Sequence, residues 1–224
     1  MPRPRDPAYF QCTRHLESQA MRQGCRFIAG CDEAGRGALL GPLYAAAVIL
    51  DPAQSIPGID DSKKLAPRRR EELANEIRAK ALAWQVVAIT AVEVDELNVY
   101  EASRQGMLRA LKGLIPAPDY VLTDAMPLRY AGEAYSIPHR AIIHGDARSV
   151  SIAAASILAK VARDEHLRKL DGVFPQYGLA KNKGYGTQDH LTALSRFGPC
   201  PEHRKTYRPV KDCLLPLFPW ASPA

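Results

Sequence analysis

The chain has 224 residues, 46% of them hydrophobic, and its 30 lysines and arginines outnumber 24 acids to give a net charge of +6. That length supports one full core with an appendage, and the apolar share excludes a disordered polymer. Its five cysteines form no CxxC pair, which excludes a zinc ribbon and a disulfide framework. The mild basic excess fits an anionic partner such as nucleic acid. The polar start, MPRPRDPAYFQCTRH, lacks the apolar stretch of a signal peptide, and no run approaches membrane-spanning length. Free thiols then point to a reducing, cytoplasmic setting.

In chain order, residues 1–25 read as a loose or helical lead-in. RFIAGCD reads as a buried strand, and LYAAAVIL as a second. The gap between them is too short for a parallel crossover, so they pair antiparallel. GIDDSKKLAP is a polar loop. Pro67 opens a helix with Leu73, Ile77 and Ala81 at four-residue spacing. WQVVAIT is a third strand, and EVDELNVYEASRQGMLRALKGL one long helical pattern. DYVLTD and RAIIHGD read as strands ending at Asp124 and Asp146. SVSIAAASILAKVARDEHLRKL follows as a helix with a buried first half. A polar, glycine-rich stretch leads to a short helix, TQDHLTALSRF, and the Pro-rich end reads as irregular. A hairpin followed by alternating helices and strands predicts an α/β domain with a mixed sheet.

Acids stand at three expected strand ends: Asp32 with Glu33, Asp124, and Asp146. Brought together they repel, and divalent cations relieve that. All-oxygen ligands suit Mg²⁺ or Mn²⁺, and two such ions can activate water against a phosphodiester. Each acid alone reads more readily as a cap or a solvated loop charge than as a ligand. Strand alternation puts Asp32 and Glu33 on opposite faces, so both serve one site only if the strand ends there. The Gly35-Arg36-Gly37 turn that follows permits positive φ and close backbone approach to a ligand, or is simply a hairpin. Lys63 and Lys64 sit among acids, where lysines are usually solvated. Tyr185 lies between Gly184 and Gly186 near Lys181 and Lys183, fit either for stacking on a sugar or for packing in a turn. Ser156 reads as packing, and the six histidines as structural or surface groups.

IAGCDEAGRGALLGPLYAAAVIL closely resembles the opening motif of the type 2 ribonucleases H, the ribonuclease HII family. DDSKKL, EVDELNVYEAS, SVSIAAASILAKVARDEHL and NKGYGTQDHLTALSRFGPCPEHRKTY resemble its later motifs, in order. The resemblance spans 26–208 and implies a catalytic domain there, with 209–224 as a Pro-rich tail. It implies a ribonuclease H-like fold, a five-stranded mixed sheet flanked by helices, with a helical C-terminal region. It implies cleavage of RNA in RNA–DNA hybrids and incision 5′ of single ribonucleotides in duplex DNA, leaving 3′-hydroxyl and 5′-phosphate ends. Carried over, Asp32, Glu33, Asp124 and Asp146 are catalytic metal ligands for Mg²⁺ or Mn²⁺. Gly35, Arg36 and Gly37 read the ribose 2′-hydroxyl, Tyr185 sits at the RNA–DNA junction, and Lys63 contacts a phosphate. Two positions depart from the pattern: Asn182 stands where the family usually has His, and Ala125 where it usually has Gly.

The expected partners are the hybrid and the ribonucleotide-containing duplex, with no membrane and a monomeric chain; a sliding-clamp partner is left open. The alternatives are a ribonuclease HIII-type enzyme, which usually carries a longer N-terminal domain, and a non-catalytic hybrid binder, which is expected to have lost acids.

Overall fold

The computed structural model of the chain describes residues 11–128 and 136–214. A sheet of strands β1 (Ile28–Ala34), β2 (Leu43–Ile49), β3 (Ala83–Ile89), β4 (Tyr120–Asp124) and β5 (His139–Ile142) has the order β3-β2-β1-β4-β5. As expected, β1 and β2 pair antiparallel, as do β2 and β3; β4 runs parallel to both β1 and β5. The sheet is therefore mixed, and β1 and β4 deliver their C-terminal ends to one edge of the molecule.

Helices cover both faces. On one lie α3 (Ala91–Leu97) and α4 (Val99–Lys112), where Val94, Met107 and Leu111 meet Ala45, Ala47 and Ile89 of the sheet. On the other lie α2 (Pro67–Lys80) and α5 (Val150–Val173), where Leu73, Ile77, Ile157 and Leu158 meet Ala46 and Val48. The run of alanines in β2 keeps side chains short on both faces, so helices approach closely. The closest approach is at Gly30 in β1, where an added Cβ would lie 2.1 Å from the backbone of Ser151. Only glycine lets the long helix lie against the central strand there.

Helix α1 (His15–Arg22) packs Leu16 and Ala20 against Ile28, Leu122 and Ile152. Its Glu17 accepts from Ser149 Oγ at 2.5 Å and from the backbone N–H of Ser151 at 3.0 Å. A carboxylate from the lead-in thus satisfies the start of α5. After α5 come the short α6 (Leu179–Asn182), α7 (Gln188–Phe197) and α8 (Arg208–Leu214).

Three expectations need correction. The long helical pattern is two helices: Asn98 adopts φ 67, and its side chain accepts from the N–H groups of Tyr100 and Glu101 to start α4 afresh. The fifth strand stops at Ile142, and Asp146 sits beyond it in a 3-10 turn, Gly145–Ala147. The start of the Pro-rich end is helical, as α8; residues 215–224 lie outside the described ones.

Candidate active site

Asp32, Asp124 and Asp146 reach the same point from three elements. One carboxylate oxygen from each lies within 4.8 Å of the others. β1 carries Asp32, β4 ends on Asp124, and the 3-10 turn supplies Asp146. The turn is tied to β4 because Gly145 N–H donates to Asp124 Oδ1 at 2.7 Å. Ala125 follows in the left-handed region, φ 52, and its N–H donates to Ile142 O at 2.9 Å. The tight step after Asp124 thus holds the second acid beside the third.

Glu33 is placed differently from the expectation. The strand does not end at Asp32: pairing continues through Ala34, opposite Tyr44. Glu33 nonetheless lines the same cleft of about 270 Å³ as Asp32 and Asp124. Its Oε1 accepts from Arg36 at 3.3 Å, while Oε2 is buried without a hydrogen-bond partner. An unpartnered carboxylate oxygen beside three clustered acids is an all-oxygen donor set that could hold a cation.

Electrostatics agree. Burial, then Glu33 and Asp124, raise the Asp32 carboxyl well above the ordinary range, against a lowering hydrogen bond from Ser156. Burial raises Glu33 to about 7 against the pull of Arg36. Burial and Asp146 raise Asp124. Acids this close hold protons unless positive charge compensates them. Lys63 supplies one such charge: its Nζ donates to Asp146 Oδ2 at 3.0 Å. The loop carrying Lys63 is fixed by Ser62, whose Oγ lies 2.9 Å from Ser156 Oγ on α5.

The Gly35-Arg36-Gly37 turn forms the wall of the cleft. Gly35 has φ +97, and an added Cβ would sit 2.1 Å from Arg163 Nε. Gly37 lacks the positive φ expected of it, and an added Cβ there would meet nothing. The turn is held from behind. Arg36 O accepts from Arg204 Nη1 at 2.9 Å and from Tyr207 OH at 2.5 Å. Arg163, fully buried, donates to Leu40 O, Pro42 O and Lys183 O. Its guanidinium lies 5.3 Å from the ring centre of Tyr185, which lines the same cleft as Asp32, Glu33 and Asp124. Leu39 N–H donates to Gly184 O at 2.8 Å, so the Gly-Arg-Gly and Tyr185 segments are stitched together.

Of the residues singled out from sequence, Asp32, Glu33, Asp124, Gly35, Arg36, Gly37, Lys63 and Tyr185 line one cleft, and Asp146 joins through the acid cluster. Lys181 instead pairs with Asp189 at 3.1 Å on the exposed surface. Asn182 is structural, donating to Tyr177 O and accepting from Gly184 N–H. Sequence reasoning missed Ser156 and Lys160, which reach the cleft from α5. Their spacing of four residues on one helix was the available signal. It also missed the three buried arginines, Arg104, Arg163 and Arg204.

The family model described as Ribonuclease HII matches residues 29–210. A ribonuclease HII from Solibacter usitatus is 50% identical over 202 residues, 90% of this chain and 86% of the relative. The chain belongs to the ribonuclease HII family. A second family member, from Moorella thermoacetica, is 52% identical over 192 residues, 86% of this chain and 91% of that protein. The crystal structure of the ribonuclease H2 from Pyrococcus horikoshii OT3 superposes with a TM-score of 0.72 at 27% identity, covering 84% of this chain and 97% of that one. The ribonuclease H-like fold, the mixed five-stranded sheet and the helical C-terminal region are thus those of ribonuclease HII, a metal-dependent nuclease. The HIII-type alternative gives way to this assignment. No helix among the described residues is long and apolar enough to cross a membrane.

Proposed function

We propose that this chain hydrolyses the RNA strand of RNA–DNA hybrids. We further propose that it incises duplex DNA on the 5′ side of a single embedded ribonucleotide, leaving 3′-hydroxyl and 5′-phosphate ends. The observation that carries this reading is the convergence of Asp32, Asp124 and Asp146 on one point, beside a turn that contains no side chain but Arg36 and is exposed at Arg36 and Gly37.

Asp32, Asp124 and Asp146 would hold divalent cations, with Glu33 Oε2 as a further donor. An all-oxygen set suits Mg²⁺ or Mn²⁺. Bound there, a pair of such ions would activate water and stabilise the charge developing on the scissile phosphate.

The chain's own groups do the rest. The backbone of the Gly35-Arg36-Gly37 turn would hydrogen-bond the ribose 2′-hydroxyl. A site built around that hydroxyl rejects the analogue lacking it by about 10⁴–10⁵. The rigid hold on Arg36 O fixes the turn before substrate arrives, so little reorganisation is needed. Tyr185 would lie against the sugar that follows, and Lys63 would steady a phosphate oxygen once a metal takes its place on Asp146. A non-catalytic binder gains no support, because the full set of acids is present and gathered.

Incubation with a duplex carrying one ribonucleotide, with Mg²⁺ or with a chelator, tests the proposal. Metal-dependent cutting immediately 5′ of the ribonucleotide supports it. Binding without cutting in Mg²⁺ and again in Mn²⁺ contradicts it.

A further inference from the structure

Behind Tyr185, away from the acids, lies a buried pair of histidines whose hydrogen bonds leave one arrangement of protons. His190 Nδ1 is 2.9 Å from Tyr185 O, a carbonyl that only accepts, so that nitrogen carries hydrogen. The backbone N–H of Cys200 donates to His203 Nδ1 at 3.0 Å, so that nitrogen does not. The two Nε2 atoms face each other at 3.3 Å. A neutral His203 then carries its proton on Nε2 and donates to the bare Nε2 of His190. All bonds are satisfied at once by two neutral rings in opposite tautomers. Protonating His190 puts hydrogens on both facing nitrogens and breaks the central bond, while protonating His203 puts a hydrogen on Nδ1 against the Cys200 N–H.

We propose that His190 and His203 are positioning residues for Tyr185. The bond chain runs from Cys200 N–H through both imidazoles to Tyr185 O, and it sets where the tyrosine ring meets the substrate. The inference rests on the reading that Tyr185 contacts the sugar at the RNA–DNA junction.

Three further observations support it. Both rings are fully buried or nearly so, and burial lowers the basicity of each, His203 to about 4. The Tyr177 ring packs edge-on against His203 at 4.8 Å and against His190 at 5.9 Å, leaving neither free to turn. Tyr185 is 38% exposed and follows Gly184 at φ +74; its N–H donates to Asn182 O at 3.0 Å, and its carbonyl also accepts from Thr187 N–H at 2.8 Å. His190 adds to these backbone bonds a side-chain donor that packing holds in place.

The test begins with the untouched protein. Histidine ¹⁵N NMR at neutral pH is expected to show two neutral rings, His190 with hydrogen on Nδ1 and His203 with hydrogen on Nε2. A charged ring, or the reverse tautomer at either residue, overturns the proposal. Kinetics then compare Tyr185→Ala, His190→Leu and His190→Asn on a single-ribonucleotide duplex and on a continuous hybrid. Asn offers an amide N–H near the Nδ1 position, so His190→Asn is expected to stay within about threefold of wild type. His190→Leu is expected to raise KM about tenfold on the single-ribonucleotide duplex, with an unchanged Mg²⁺ midpoint, and to add nothing in a Tyr185→Ala background. If Tyr185→Ala loses selectivity while folded His190→Leu keeps it, the positioning role is wrong. If Tyr185→Ala itself keeps wild-type selectivity, the reading of Tyr185 falls and the proposal falls with it.

Discussion

Lys63 Nζ donates to Asp146 Oδ2 at 3.0 Å, joining residues 83 positions apart in the chain. The carboxylate is buried while the lysine side chain is 78% exposed. A lysine that can swing into solvent thus pairs with one of the three acids proposed to hold divalent cations. Burial works against the charge on Lys63, but the bond to Asp146 and the acids around it outweigh that and raise its pKa to about 12.

Lys63→Met is therefore expected to tighten Mn²⁺ binding, measured by calorimetry, about two- to fivefold. That follows from the roughly 0.5–1 kcal/mol typical of an exposed ion pair. The same variant is expected to cut more slowly at saturating metal, because the phosphate contact is lost. Unchanged affinity together with an unchanged rate would mean that Lys63 is only a solvated surface charge.

Stability without metal should fall as pH rises. Burial lifts the folded Glu33 carboxyl from an ordinary 4.5 to about 7, and Asp32 and Asp124 move in the same direction. The folded state then binds more protons than the unfolded chain across that window. Stability is fully present below the unfolded value and is lost as pH rises through the folded one. Divalent cations bind the deprotonated acids, so their stabilising effect grows over the same range. Thermal melts with chelator and with Mn²⁺, run below and above the window, check this. A Tm gain from Mn²⁺ that is as large at the acid end as above neutrality would contradict it.

Ala125 holds φ 52 directly after Asp124 and is exposed. A left-handed alanine costs about 1–2 kcal/mol, while glycine gives back about 0.5–1 kcal/mol through the entropy of the unfolded chain. Ala125→Gly is expected to raise stability by about 0.5–1 kcal/mol, a Tm gain of about 1–4 °C for a chain this size. A lower Tm would show that the alanine methyl makes a contact worth more than the strain.

Much of this was legible in the sequence because hydrophobic period and turn chemistry act locally. The strands, their antiparallel start and the acids in the opening motif could be read directly. Asn98 could not: an apolar stripe runs past it, and only its side-chain capping of Tyr100 and Glu101 reveals the break. Asp146 reads as a strand end because the apolar run Ala141-Ile142-Ile143 shortly precedes it, yet pairing with β4 stops at Ile142. Arg163 and Arg204 were hidden for a different reason. Arginine reads as surface in any pattern, and here both are fully buried because backbone carbonyls from distant turns satisfy their guanidinium groups. Convergence of separate turns is a property of the fold, and a single chain of letters does not display it.

Tyr185→Ala should impair recognition of the RNA–DNA junction more than it impairs metal use. Stacking contributes about 1–3 kcal/mol per contact, and a hydroxyl bond about 0.5–1.5 kcal/mol. Tyr185→Phe keeps the ring and its place over Arg163, so it should lose less. Cleavage rates on a single-ribonucleotide duplex and on a continuous hybrid make the comparison. Equal slowing on both would assign Tyr185 to general support.

The most direct measurement is cleavage of a duplex bearing one ribonucleotide by wild type and by Asp32→Asn, resolved to the nucleotide, with Mg²⁺ and with chelator. The acid cluster predicts that wild type cuts 5′ of the ribonucleotide only with metal. Asp32→Asn should be slower by orders of magnitude. Its metal-free fold should melt no lower than wild type, because a repelling carboxylate has been removed from beside Glu33 and Asp124. Cutting by Asp32→Asn at the wild-type rate, or cutting by wild type in chelator, would contradict the account.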